Sequence, residues 1–263
     1  MTIMADSGSY PFSNQAHHKH PRVRRQVIEF LIHQILSQSL KVGEQLPPTG
    51  VLCDTLQVSR TATREAISVL VAKGIVASKP GEGSTVQPLS QWMLLDPEVL
   101  NWLRESDMAS SIIEHLLEVR LIIEPEAAAL ASIRGTMEQF MALQEALARM
   151  SAGKTKRTRE SVQGDIDFHN RILDISGNIF LARLRDLCMV SVELIIRLTY
   201  ENVESVHATI ENHTMLYEAI KARRPDLARR RAKQVLAKTI VDLQNLNIPF
   251  RQDIIQRFGN HVT

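Results

Sequence analysis

Cysteine is nearly absent from these 263 residues. Cys53 and Cys188 stand far apart and form no CxxC pair, so the sequence carries no disulfide framework and reads as a reduced, cytoplasmic chain. Aromatics make up only 5%, while Leu, Ile, Ala and Arg are plentiful, a balance that favours helices. No run of 18 apolar residues occurs, which excludes a helical membrane span. The N-terminal stretch MTIMADSGSYPFSNQAHHKHPR lacks the apolar core of a signal peptide. Its HHKH cluster reads as part of a polar, disordered tail over 1–22, with metal contact as the alternative. An excess of positive charge is also missing. The net charge of +2 excludes a wholly polybasic nucleic-acid binder. Regional charge is more telling: residues 1–90 carry nine Lys/Arg against six Asp/Glu, and the remainder 22 against 23. That distribution suits a weakly basic module joined to a neutral one.

What is present in the front module is periodic. RRQVIEFLIHQILSQSL (24–40) places Val27, Phe30, Leu31, Ile35 and Leu36 at helical spacing. KVGEQLPP breaks that helix. TGVLCDTLQ restarts one near Thr49, with Leu52 and Leu56 inward, and Val58 falls in a tight connector. SRTATREAISVLVAKG predicts a third helix, with Ser59 as N-cap, Ala66, Ile67 and Leu70 inward, and Gly74 as stop. IVASK and STVQP then read as short strands around PGEG. Three helices and a hairpin in this order make a winged helix-turn-helix over 23–90.

Arg60 and Arg64 are one turn apart and project from one face of the third helix, beside Thr61 and Thr63. Arginine pairs with guanine edges or grips phosphate. Lys79 precedes the wing turn, and Gly81 and Gly83 permit a tight tip near a sugar-phosphate surface. With Ser59, these residues form the candidate DNA-contacting set. The stretch LQVSRTATREAISVLVAKGIVASKPGEGSTV resembles the winged-helix domain of the GntR family of bacterial transcription regulators. The resemblance implies that Arg60 and Arg64 contact operator DNA, with the wing inserted beside them. One departure stands out. Many relatives read Leu-Pro-Ser-Glu-Arg at the start of the second helix, whereas this chain reads LPPTG, with Thr49 and Gly50 in place of Glu and Arg.

Behind the module, QWMLLDPEVLNWL is apolar for a tether, and the sequence assigns 91–108 to a linker whose Trp92, Met93, Leu94, Leu95, Leu100 and Trp102 pack on one or both domains. Periodicity then predicts helices at 109–133, 136–151, 162–175, 179–200, 207–223 and 225–245, with Thr136, Asn178 and Pro225 near helix starts. SAGKTKRTRE reads as a solvated basic connector or, alternatively, a phosphate patch. An all-helical domain over 109–246, followed by a tail over 247–263, is large enough to bury a core with a pocket between helices.

Within that domain Asp165 and His169 in DIDFH are one turn apart, a spacing shared by paired ligands and ordinary surface pairs. His213 lies in ENHTMLYEAI. Arg120 sits among Leu116, Val119 and Ile123 and, if buried, needs an anion or an acid partner such as Glu124. EVRLIIEPEAAALA, DIDFHNRILDISGN and the His213 helix resemble the ligand-binding FCD domain of the FadR branch of the same family. That resemblance implies a divalent metal, zinc or nickel, on Asp165, His169 and His213. It expects a fourth histidine about 22 residues after His213, where this chain has Val235. It also implies that Arg120, Asp165, His169 and His213 hold an organic acid, with or without a metal. The linker and DIDFHNRIL resemble the galactonate-catabolism repressor subgroup, which implies a sugar acid or similar hydroxy acid.

The sequence therefore reads as a mainly α protein: a winged helix-turn-helix followed by an all-helical FCD-type bundle. The function expected is that of a cytoplasmic homodimeric regulator, reading an inverted repeat in double-stranded operator DNA and released by its effector. Two other readings stay open. One is a metal-dependent enzyme for a small hydroxy acid fused to a DNA module. It lacks an obvious nucleophile or base, because Asp167 should face away from Asp165. The other is a regulator whose bundle only dimerises.

Overall fold

The computed structural model describes residues 20–106, 108–152, 158–198, 203–248, 250, 251 and 254. His17 and His18 of the HHKH cluster, the middle of SAGKTKRTRE and His261 lie outside them. The chain divides into two units, Met1–Met93 and Leu94–Thr263.

The first unit begins with α1 (His20–Leu36), so the helix starts within the stretch assigned to a tail. Val27, Ile28, Leu31, Ile32, Ile35 and Leu36 form its buried stripe. α2 (Thr49–Leu56) starts after Pro48 without a side-chain cap and ends at Gln57 in the left-handed conformation. Ser59 then caps α3 (Arg60–Ala72), its side chain accepting from the Ala62 N–H at 3.2 Å. Gly74 ends the α3 turn at φ +72°. A Cβ there would stand 2.1 Å from the Gln91 carbonyl oxygen, so glycine is required both for the conformation and for the close approach.

β1 (Val76–Lys79) and β2 (Gly83–Val86) pair antiparallel, with Val76 opposite Val86. KVGEQLPP does more than end α1. Its Leu46 N–H donates to the Ser84 carbonyl at 2.7 Å, and Val86 N–H donates to Glu44 at 3.0 Å. The segment thus runs along β2 as an irregular third strand, bridging Gln45 to Thr85. Its lysine, glycine and paired prolines hide that role from a periodicity argument.

The stretch expected to be a linker is split. Trp92 closes the first unit, buried, with its indole N–H on the Gln87 carbonyl at 3.0 Å. Pro97–Glu105 is instead a helix, α4, capped by Asp96. Val99, Leu100 and Leu103 are buried where α4 meets the bundle. Apolar side chains at i, i+1 and i+4 make one helical face, which explains the hydrophobic character of the segment. Met93, Leu94 and Leu95 remain exposed.

In the second unit, α5 (Ala109–Arg134) is the longest helix and continues through Pro125. α6 (Met137–Ser151) and α7 (Arg159–Ile175) each open with a capping box, Thr136 with Gln139 and Thr158 with Ser161. The expected helix 179–200 is two helices, α8 (Ile179–Ala182) and α9 (Arg185–Leu198). No glycine or proline marks that break, so apolar spacing ran through it. α10 (Val203–Lys221) and α11 (Pro225–Asn245) complete the bundle. α5 packs on α7, α9, α10 and α11, and α6 lies against α7. Gly164 makes the last contact possible: a Cβ on it would sit 2.4 Å from the Met150 backbone nitrogen. Among the described residues, no helix is long and apolar enough to cross a membrane.

Candidate functional site

A cavity within the bundle gathers polar side chains from four helices. Arg120 comes from α5, Asp165 and His169 from α7, Thr209 and His213 from α10, and Thr239 and Asp242 from α11. Val192, Ile195, Ile196 and Val235 supply its apolar wall. It offers about 30 Å³ to the centres of water-sized groups, room for roughly two where one needs about 10–15 Å³.

Asp165 and His169 face inward because α7 buries that face. Gly164 draws α7 close to α6, and Phe168 packs its ring 5.9 Å from His169 and 5.2 Å from His213. Asp165, His169, His213 and Arg120 are all buried. His169 Nε2 stands 3.1 Å from His213 Nε2. Asp165 Oδ1 stands 3.3 Å from the former nitrogen and 3.6 Å from the latter.

The tautomers follow from what lies behind each ring. His213 Nδ1 is 2.7 Å from the Thr209 carbonyl, which can only accept, so Nδ1 carries the proton. His169 Nδ1 is 2.9 Å from Glu124 Oε2. Burial alone would raise the Glu124 carboxyl, but Arg120 and His169 hold it far below the usual carboxylate range. Glu124 is therefore an acceptor, and His169 Nδ1 donates to it. Both Nε2 atoms then turn bare lone pairs toward Asp165 Oδ1, a buried oxygen with no hydrogen-bond donor.

Three acceptors facing one point call for a positive charge. A proton on His169 is one answer. Burial lowers its basicity, but Glu124 and Asp165 together outweigh that and raise it. A metal ion is the other, and this buried Asp/His/His group could hold one. With a proton on the histidine side, burial pushes Asp165 up and the two histidines push it down further, well below the usual carboxylate range. Cys188 is not a competing ligand, because burial pushes its thiol well up.

Arg120 is 2% exposed and does have the acid partner weighed from sequence. Its Nε donates to Glu124 Oε1 at 2.5 Å. Glu124 thus joins the guanidinium to the His169 ring, a carboxylate–histidine arrangement that fixes ring orientation. Asp167 faces away from the cavity, paired with Arg149 at 2.6 Å. Sequence reasoning did not single out Thr209, Thr239 or Asp242. The seven-residue spacing of Val235 and Asp242 along one helical face was the available signal.

In the first unit Arg60, Thr61 and Arg64 are exposed on α3. Lys79, Gly81 and Gly83 are exposed at the wing, with Lys79 Nζ 3.3 Å from Glu82. Gly81 and Gly83 adopt φ +80° and +89°, which suit only glycine at low cost. Thr63 requires a correction. It is fully buried, its hydroxyl donating to the Ser59 carbonyl at 3.1 Å, so it supports the helix-turn-helix and presents no surface to DNA. Ser59 is exposed, but its hydroxyl oxygen serves as the helix cap.

Comparison with known proteins matches residues 23–86 to the bacterial regulatory proteins of the gntR family and 115–238 to the FCD domain. An uncharacterized HTH-type transcriptional regulator of Escherichia coli (strain K12), YieP, is 38% identical over 60% of this chain and 70% of its own. The galactonate operon transcriptional repressor of the same organism is 28% identical over 81% of this chain and 93% of its own. Among solved structures, Lar, described as controlling the Listeria monocytogenes agr system, shares the fold with a TM-score of 0.60 at 19% identity, covering 85% of this chain and 97% of that one. A winged helix-turn-helix followed by a helical bundle that buries Asp165, His169 and His213 around one point places this chain in the GntR family of bacterial transcription regulators, with an FCD domain as its second unit.

Proposed function

We propose that this protein represses an organic-acid catabolic operon and is released from its operator when an acid binds in the bundle. The convergence of three buried acceptor atoms beside Arg120 carries this reading. Three edges of 3.1, 3.3 and 3.6 Å support a zinc ion, because tetrahedral ligands at about 2.0–2.1 Å from zinc stand roughly 3.3 Å apart. Asp165, His169 and His213 would hold the ion, and Val235 leaves the fourth position to a ligand. The metal would supply a Lewis-acid contact for the acid's oxygens.

Charge favours the metal over a metal-free site with neutral histidines. Arg120 and Lys238 oppose Glu124, Asp165 and Asp242 around the cavity, leaving one negative charge with neutral histidines. An organic anion entering that field is repelled. A divalent ion reverses the sign and lets a carboxylate neutralise it. The small space suits the polar head of an acid, its carboxylate and neighbouring oxygen. The galactonate operon repressor among the relatives supports a sugar acid.

Arg60, Thr61 and Arg64, with the wing at Lys79, Gly81 and Gly83, would contact DNA, two copies reading an inverted repeat as a homodimer. The acid changes operator affinity only if it binds one placement of the DNA-reading units better than another. Operator titrations with and without sugar acids and shorter hydroxy acids, on zinc-loaded protein, test this. Release by at least one acid that binds the bundle is expected. Unchanged operator affinity with a demonstrably bound acid would overturn the coupling.

A further inference from the structure

Exposed apolar side chains gather at one end of the bundle. Ile133 lies near the end of α5, Met137 and Met141 at the start of α6, and Ile179 and Phe180 on α8. The last two are the most exposed large apolar side chains among the described residues, at 74% and 77%. Close contacts hold these elements together. Arg134 Nη1 donates to the Ser176 carbonyl at 2.6 Å, and a Cβ on Gly135 would meet Ile175 Cγ2 at 2.8 Å. The α5–α6 turn therefore rests on the C-terminal end of α7, and α8 follows directly after Gly177 and Asn178. Between α6 and α7 this end opens a cleft of about 520 Å³, whose polar lining is Thr136, Glu138, Gln139, Arg171 and Asp174. Three of these side chains are engaged: Thr136 and Gln139 cap α6 through each other, and Asp174 pairs with Arg185 at 3.1 Å. The side chains of Arg171 and Glu138 have no ion pair or hydrogen bond among the described residues. Arg171 Nε is buried without an acceptor, a costly state for a charged donor.

We propose that this end of the bundle is the face on which two copies of the chain meet, with Phe180 of each copy entering the cleft of the other and Arg171 of each pairing with the partner's Glu138. This rests on the homodimer of the reading above and names its contact face. Charge complementarity selects the occupant. The cleft carries one free base and one free acid, and a second copy brings the missing partner of each. A two-fold axis repeats every contact, so one Glu138–Arg171 pair implies the other and satisfies all four groups. Shape agrees with charge, because an exposed aromatic knob stands beside an open cleft on the same surface. A small molecule filling the cleft would leave Ile179 and Phe180 in water, whereas a second copy covers them. Aromatic residues, methionine and arginine are the side chains enriched at protein interfaces, and this face supplies Phe180, Met137, Met141 and Arg171.

Sedimentation analysis of the full chain, giving the dimer dissociation constant, tests this. Arg171→Glu and Glu138→Arg each set like charges opposite one another and should raise that constant by about tenfold or more. The double variant restores opposite charges in reversed order and should return to within about threefold of wild type. Phe180→Ser should weaken the dimer by about tenfold through the apolar contact, an independent route should the charge variants not fold. Ile122→Ser, at an exposed apolar position on α5 about 16 Å along the helix from Ile133, is the control and should leave the constant unchanged. Weakening in the single charge variants without recovery in the double overturns the Arg171–Glu138 pairing. A dimer unchanged in every folded variant overturns this face and leaves the homodimer intact. A wild-type chain that stays monomeric overturns the homodimer, and this proposal with it.

Discussion

Arg64 and Arg120 each sit on a long helix of this protein, yet they live in opposite solvents. Arg64 is exposed on α3, one turn from the equally exposed Arg60. Arg120 is 2% exposed on α5 and locked to Glu124. The first unit keeps its charge hydrated and available to an external polyanion. The second keeps its charge in a low-dielectric interior, where a small ligand feels it strongly. The exposed arginines should therefore be dispensable for folding, and the buried one should not.

Glu124→Ala presses hardest on that contrast. It leaves a buried guanidinium without its counter-charge, and removing one member of a buried pair costs about 3–5 kcal/mol. Chemical denaturation should register that loss. Zinc affinity should fall as well, by roughly 10–100-fold, because His169 loses the group that orients its ring. Stability within about 0.5 kcal/mol of wild type would mean that Arg120 is not held as described.

Gly164→Ala tests whether the cavity depends on helix packing as well as on charge. The added Cβ would meet backbone atoms of α6, at 2.4 Å from Met150 N and 2.8 Å from Ala146 O. Backbone cannot swing aside as a side-chain tip can, so a cost of about 1–3 kcal/mol is expected. The α7 ligands should shift with it, and zinc binding measured against a competing chelator should weaken.

Arg64→Ala probes the other side of the comparison. Stability should stay within about 0.5 kcal/mol, while operator affinity falls by about 1–3 kcal/mol. Measuring binding across salt concentrations separates the two modes of contact. A phosphate contact lowers the slope of log K against log salt by roughly one. A base-edge contact instead relaxes preference at one operator position. No change in operator binding would remove Arg64 from the interface.

The two units also differed in how far the sequence could be read. In the first, Val27, Leu31, Leu52, Ala66 and Leu70 carry the fold through spacing alone, and a short local motif places Arg60 and Arg64 side by side. In the second, most helices were visible, α4 and the α8–α9 break excepted, but their assembly was not. His169 and His213 are 44 residues apart in sequence and meet where Phe168 packs edge-on against both rings and Gly164 admits α6. Resemblance to a family brought those ligands together before the structure did. It said nothing of Asp242, which reaches the cavity by helical register, nor of the Glu124 contact to His169. α4 and the β2-pairing segment at Gln45 were missed because their short apolar runs and prolines mimic linkers and turns. Thr63 was misassigned because polar residues near a recognition helix look alike until burial is known.

The smallest expected effect falls on Ser59, where the two kinds of residue adjoin. Its side chain caps α3 and is exposed at the start of the helix that carries Arg60 and Arg64. If capping is its contribution, Ser59→Ala should cost about 1 kcal/mol of stability, and Ser59→Asp, which can also cap, should restore most of it. Operator affinity separates the roles. The aspartate brings a negative charge toward phosphate, so it should weaken DNA binding in a salt-dependent way even as it repairs the fold. The alanine variant, measured well below its melting temperature, should bind nearly as wild type. Loss of affinity in the alanine variant at full folding would instead make Ser59 a DNA contact in its own right, and would move the boundary between supporting and reading residues one position toward α2.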